Sequence, residues 1–351
     1  MQAAPFDTYT SLPAGFLDVS PEYLHRCLPR PSVIRLEGRR QPAVAVVLML
    51  HGNEPVGLQA VQRLLHRYAA RPLPRALTLV VGNVRAAALG QRHLDDQPDF
   101  NRVWPGTEQA GSPEALMFAR IIDTLRADGL FAAIDLHNNT GRNPHYACVN
   151  ALDDAFLHLA ALFGRTVVYF TRPRGVASMA LAGLAPSVTV ECGHPGEEAG
   201  IRHAETFIDS VLHLSDFPAR APDPRSLEIF HTVAQVRVRP GLRVAIEEPA
   251  DVLLDPELDY LNFRVLPAGT RLVRQANAGL QALTAVSSDG RDVTADYLEE
   301  TGRDLCLRHP MMPSMLTLDT RVIAQDCLGY LMEPLDLTES VKRGDRHVRP
   351  D

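Results

Sequence analysis

Paired cysteines of the CxxC type are missing from this chain, and the five cysteines present (Cys27, Cys148, Cys192, Cys306 and Cys327) are odd in number and widely scattered. Neither a disulfide framework nor a cysteine zinc site is indicated, and a reducing compartment fits best. Basic charge is also short: 35 Lys and Arg against 42 Asp and Glu leave a formal net charge of −7. Phosphate binding needs a basic footprint, so no nucleic-acid or anionic-membrane partner is expected. A small anionic substrate stays open, because it answers to the local field of a pocket. Long apolar runs are lacking too. The longest, Ala43 to Leu50, is far short of a membrane span. The opening MQAAPFDTYTSLPAGF has no basic segment leading into an apolar one, so no secretory signal is expected. These absences point to a cytoplasmic protein and leave its oligomeric state open.

Hydrophobic residues make up 46% of the 351 and charged residues 22%, the balance of a water-soluble globular enzyme. A chain of this length exceeds one ordinary core, which favours two domains. Between Ala43 and Leu214 short apolar runs alternate with helical patterns. AVAVVLML (43–50), LTLVVG (77–82), FAAIDL (131–136), HYACV (145–149), TVVYF (166–170) and SVTVEC (187–192) read as strands. Val56, Ala60, Val61, Leu64, Leu65 and Tyr68 fall at helical spacing, and Ser112-Pro113 is a good start for another helix. Further helical stretches lie near 153–163 and 199–213. Continuous apolar strands interleaved with helices predict an α/β domain over 1–214 with its sheet covered on both faces. SDFPARAPDPRS (215–226) reads as a linker. Beyond it, TVAQVRVRP (232–240) and TRLVRQ (270–275) predict a smaller β domain over 227–340, then a polar tail, KRGDRHVRPD.

Four segments carry chemistry. HGNEPVG (51–57) follows a buried strand and opens a helix, at the carboxyl end of a strand where open α/β sheets place ligands. His51 and Glu54 can there face one cation. Alone, His-x-x-Glu does not separate a ligand pair from a histidine that merely starts a helix, since HPGE (194–197) repeats the pattern. FAAIDLHNNTG (131–141) brings His137 to a second strand end. His51, Glu54 and His137 then make a His₂Glu set with one position left for water, the ligand set of the catalytic zinc in carboxypeptidase A. Other divalent metals also fit it. Asp135 alternates onto the same face as His137 and suits either an imidazole-orienting acceptor or a simple strand-end residue.

SVTVECG (187–193) delivers Glu191 to a third strand end. A glutamate after an apolar run is costly to bury unless paired or catalytic, and a metal hydrolase needs a carboxylate to move a proton from water to the leaving amine. His194 and Glu197 are read as structural. In QRHLDDQPDFNRVWPG (91–106), Asn101 and Arg102 pair a neutral donor with a guanidinium, suited to a carboxylate. Arg92 is the candidate for holding the oxyanion. The alternative for these arginines, as for Asp95-Asp96, is a solvated loop position.

HGNE (51–54), NVRA (83–86), RHL…DFNR (92–102), DLHNNTG (135–141) and TVECG (189–193) together resemble the succinylglutamate desuccinylase and aspartoacylase family, the amidohydrolase branch of the zinc carboxypeptidase superfamily. LNFRVLPAGT (261–270) resembles a segment of that family's C-terminal β domain. The resemblance implies a carboxypeptidase-like three-layer α/β/α domain followed by a small β domain. It implies one zinc per chain on His51, Glu54 and His137, Glu191 as general base and acid, and Arg92 at the oxyanion. Asn101 and Arg102 would bind the carboxylate of a small N-acyl amino acid. Arg92 and Arg102 stand slightly further apart than in the family pattern, which keeps Arg85 as a rival. The family's further arginine has only Arg172 and Arg174 as candidates. A metallocarboxypeptidase acting on a peptide end, and a silent metal- or carboxylate-binding protein, are the competing functions.

Overall fold

The computed structural model describes residues 2–336, Glu248 excepted. The expected polar tail and the last residues of the expected β domain lie outside the described residues. The alternation of side chains along the strand Ala43–Leu48 organises the α/β half. Val44, Val46 and Leu48 turn to one face, where they pack with the helices Val56–Arg67, Asp154–Phe163 and Glu198–His213. Ala45 and Val47 turn to the other and meet the helix Pro113–Asp128. All six residues are buried. Each Val or Leu so buried contributes roughly 1.5–3 kcal/mol, which is why a strand with no polar face is stable only between two helical layers. Ser112 begins the helix Pro113–Asp128 as its sequence suggests: its hydroxyl oxygen accepts from the Ala115 amide at 3.1 Å.

Across the sheet, Leu130–His137 lies parallel between Ala43–Leu48 and Ser187–Glu191, with His137 in register with Glu191. The strand Tyr146–Val149 runs antiparallel to Ser187–Glu191 and parallel to Thr166–Tyr169, so the sheet is mixed. On the opposite side, Leu77–Val81 pairs with Ala43–Leu48, and two N-terminal strands, Ser32–Leu36 and Asp7–Tyr9, continue the sheet outward. Neither N-terminal strand was expected; both are short.

The chain after 215–226 stays attached to this sheet. The 11-residue strand Glu228–Val238 pairs with Thr166–Tyr169 along its first half and with Leu283–Ser287 along its second. Ile229 accordingly packs in the core of the α/β half, whereas Ala234 and Val236 belong to a separate core built from residues 234–331. Gly329–Pro334 and Met312–Ser314 extend the sheet beyond it. A smaller five-stranded sheet, which includes Arg271–Ala276 and Asp304–Leu307, stands apart. The fold is thus mixed α/β with one large sheet and a second, smaller one.

Candidate metal centre and its surroundings

His51 comes after a sharp reversal. Met49 at the strand's end has φ 57°, a left-handed value rare for a residue with a side chain, and its side chain is nonetheless fully buried. The turn continues through Gly52, where a Cβ would overlap the backbone of Ala86 and Ala87. Only glycine lets this loop settle against the short helix Val84–Ala87. Glu54 follows just before the helix Val56–Arg67, and His137 ends its own strand.

The three side chains converge. Glu54 Oε1 lies 2.8 Å from His51 Nδ1, and Glu54 Oε2 lies 2.7 Å from His137 Nδ1. One ligand atom from each falls within 4.8 Å of the others, and all three residues are buried. The far nitrogen of each ring faces an aspartate: His51 Nε2 is 3.0 Å from Asp99 Oδ1, and His137 Nε2 is 3.0 Å from Asp135 Oδ1. Imidazoles that coordinate a metal through one nitrogen usually give the other N–H to a carboxylate, which fixes the tautomer and raises basicity. His51 shows this arrangement with Asp99; at His137 the Asp135 carboxylate lies at ion-pair distance without an aligned hydrogen bond, and both rings turn Nδ1 inward. The donor set therefore suits a divalent cation. Burial opposes charge on Glu54, but the neighbouring His51 and His137 outweigh it and hold the carboxyl well below its usual range. Burial likewise opposes the imidazolium of His137, and Asp135 and Glu54 outweigh it in the upward direction.

Residues 40–216 match the succinylglutamate desuccinylase/aspartoacylase catalytic domain, half of the chain. The chain belongs to this family. Succinylglutamate desuccinylase of Burkholderia cenocepacia (strain J2315) is 32% identical over 230 residues, 50% of this chain and 65% of that protein. The enzyme of the same name from Burkholderia orbicola (strain MC0-3) is 32% identical over 161 residues, 37% of this chain and 45% of that one. The aligned part is under two thirds of either relative. Among solved structures, the succinylglutamate desuccinylase of Chromobacterium violaceum superposes with a TM-score of 0.56 over 86% of both chains at 19% identity, a likeness of fold.

Beside His51, Glu54 and His137 in this desuccinylase/aspartoacylase domain, Glu191 lines the same cavity and is buried. Its Oε2 has no hydrogen-bond partner. Burial, reinforced by Glu54 and Asp135 against the pull of His137, pushes its carboxyl up to about 8. Arg92 is buried too; its Nε and Nη2 donate to Asp99 Oδ2 at 3.0 and 2.8 Å. Its Nη1 is left on the metal side, 3.7 Å from Glu54 Oε1. The rival Arg85 sits in an exposed pair with Asp96 at 2.9 Å and does not line the cavity. Asn101 Oδ1 accepts from the Ala177 amide at 2.9 Å, which leaves its Nδ2 3.2 Å from His137 Nε2. Arg102 lines the cavity, with Nη1 donating to the Asn101 carbonyl and Nη2 to Asp326. Arg172 lines this cavity and the adjoining one, whereas Arg174 lines only the adjoining one.

Four residues at or behind the site carried no notice in the sequence reading. Asp99 holds both His51 and Arg92; its place beside Asn101 and Arg102 in the DFNR segment was the available signal. Asn138 ties three elements together, accepting from the Val56 amide at 3.1 Å and donating to the Gly193 carbonyl at 2.9 Å. Asp326 and Tyr330 arrive from the C-terminal region, where no local pattern announced them.

Proposed function

We propose that this chain is a zinc-dependent amidohydrolase that removes the acyl group from a small N-acylated amino acid or amino-acid derivative. The observation that carries the reading is the convergence of buried His51, Glu54 and His137 beside Glu191, whose carboxyl has a free oxygen. His51, Glu54 and His137 would hold one zinc ion, which when bound supplies Lewis acidity to a water molecule and to the scissile carbonyl. Asp99 and Asp135 keep the two imidazoles turned inward. Glu191 takes a proton from the attacking water and gives it to the departing amine, a task for a carboxyl group held near neutral pH. Arg92 is locked by Asp99 and turns its remaining N–H groups toward the charge that develops on the carbonyl oxygen. Asn101 and Arg102 meet the amino half of the substrate.

Family membership supports deacylation, and the names of the Burkholderia relatives attach that chemistry to succinylglutamate in those proteins. Here the acyl group is left open. The test is a hydrolysis screen of N-acyl amino acids and dipeptides, with metal content measured on the same sample. Turnover of N-acyl compounds by protein holding one zinc per chain is the expected result. Turnover confined to dipeptides would assign a peptidase instead. Stoichiometric metal without turnover of either would assign a binding protein.

A further inference from the structure

The guanidinium of Arg102 already has a carboxylate of its own. Asp326 follows the helix Thr320–Gln325 and carries its side chain into the cavity that holds the metal ligands. Its Oδ1 accepts from Arg102 Nη2 at 2.6 Å, and its Oδ2 accepts from Arg92 Nη2 at 3.2 Å. One carboxylate thus bridges both arginines, as a carboxylate ligand would. Burial opposes its charge, yet Arg102 and Arg92 prevail and lower its pKa. Its side chain is 9% exposed, so this is no surface pair.

A substrate carboxylate has two routes to Arg102, and both are unfavourable. Displacing Asp326 strands a buried carboxylate away from its counter-charges, which is strongly destabilising. Joining it sets two like charges side by side in a cavity that Glu54 also lines. The capacity that remains is for an uncharged group. Arg102 Nη1 and Nη2 each give one N–H, to the Asn101 carbonyl and to Asp326, and each keeps a second, while each Asp326 oxygen has a second lone pair. A donor beside an acceptor suits a carboxamide, whose oxygen accepts and whose nitrogen donates.

We propose that Asp326 stands in for the substrate carboxylate on Arg92 and Arg102, so that the amino half of the substrate meets this pair as a carboxamide rather than as a free acid. The inference rests on the amide-hydrolysis reading above and narrows its substrates to N-acyl amino acids whose carboxyl group is masked. Asp326 determines specificity by occupying the site of the competing group, a repulsive element in the pocket.

The test uses the zinc-loaded full chain, as wild type, Asp326→Asn and Asp326→Glu, against N-acetyl amino acids and their matched N-acetyl amino acid amides. The wild type should favour the amide by about tenfold or more in kcat/KM, and Asp326→Asn should shift that ratio toward the acid by a similar factor. Asp326→Glu keeps the charge and should keep the preference for the amide. Calorimetric Kd values for the same pairs on Glu191→Gln protein, with and without Asp326→Asn, read selectivity without turnover. If no compound is hydrolysed, the amide-hydrolysis reading fails, and the Kd ratio still decides the role of Asp326. Preference for the free acid in the wild type overturns the proposal. So does a ratio that Asp326→Asn leaves unmoved, by either readout.

Discussion

Glu191 has been taken out of water without a fixed partner for one of its oxygens. That is costly for an ordinary structural residue and useful for a proton carrier. Glu191→Gln keeps the shape and cannot accept a proton, so turnover should fall by at least about two orders of magnitude while zinc content stays unchanged. Loss of zinc in that variant would make Glu191 a ligand instead. The same residue gives a pH signature in the metal-free protein. Its carboxyl lies at about 8 when folded against an ordinary 4.5. Between those values the folded chain retains a proton that the unfolded chain has released. The associated stability is therefore complete below the ordinary value and is lost as pH rises through the folded one. Metal-free Glu191→Gln should melt above wild type at about pH 9, with the two Tm values converging near about pH 4. Parallel Tm curves across that range would show that the buried carboxyl is not held neutral. His137→Ala should empty the metal site, which elemental analysis reads directly. Stoichiometric zinc and full activity in that variant would remove the constellation altogether.

The strand ends and the loops that follow them set the geometry at the scale of elements. Ala43–Leu48, Leu130–His137 and Ser187–Glu191 are parallel neighbours, so the turn after the first and the last residues of the other two open on one edge of the sheet. Asn138 then staples the His137 loop to the first helix and to Gly193. Asp99, from the irregular 91–106 segment, clamps His51 from one side, as Asp135 clamps His137 from the other. Neither aspartate belongs to the group that could hold a cation, so under the zinc reading each would position a ligand. Asp99→Asn and Asp135→Asn should each weaken zinc affinity by about 10–100-fold, measured by competition with a chelator. Wild-type affinity in both variants would reduce the two contacts to incidental neighbours.

The C-terminal half forms one wall of the site at the scale of the whole molecule. The Met315 amide donates to Asn143 at 2.9 Å, and Tyr146 Oη lies 2.9 Å from Met315 Sδ. Gly141 is pressed so closely to the Leu316 carbonyl that a side chain there would collide with it. Met315, Asp326 and Tyr330 thus line the cavity together with residues of the α/β half. A peptidase groove would need this wall to stand clear of the rest of the peptide. Under the amidohydrolase reading, kcat/KM should fall steeply as the acyl side grows from a short acid to a dipeptide and longer. Comparable values for an N-acetyl amino acid and a tetrapeptide carrying the same terminal residue would favour the carboxypeptidase.

Buried strands, the main helices of the α/β half and the His51, Glu54, His137 and Glu191 set were legible in the sequence because their signals are local. An unbroken apolar run specifies a strand covered on both faces and the polar residue at its carboxyl end is read with it, though only several such ends taken together set a candidate ligand group apart from helix-start residues. The antiparallel direction of Tyr146–Val149 was not legible, because side-chain alternation is the same whichever way a strand runs. Nor was Asp99, whose value depends on His51 lying within 3.0 Å across 48 positions of chain. Asp326 is the extreme case: it sits 224 positions from Arg102, and nothing near it in sequence marks it. The residues fixed which chemistry the chain can carry. Tertiary structure decided which charge faces Arg102, because the partner of a buried guanidinium is set by how two distant segments pack.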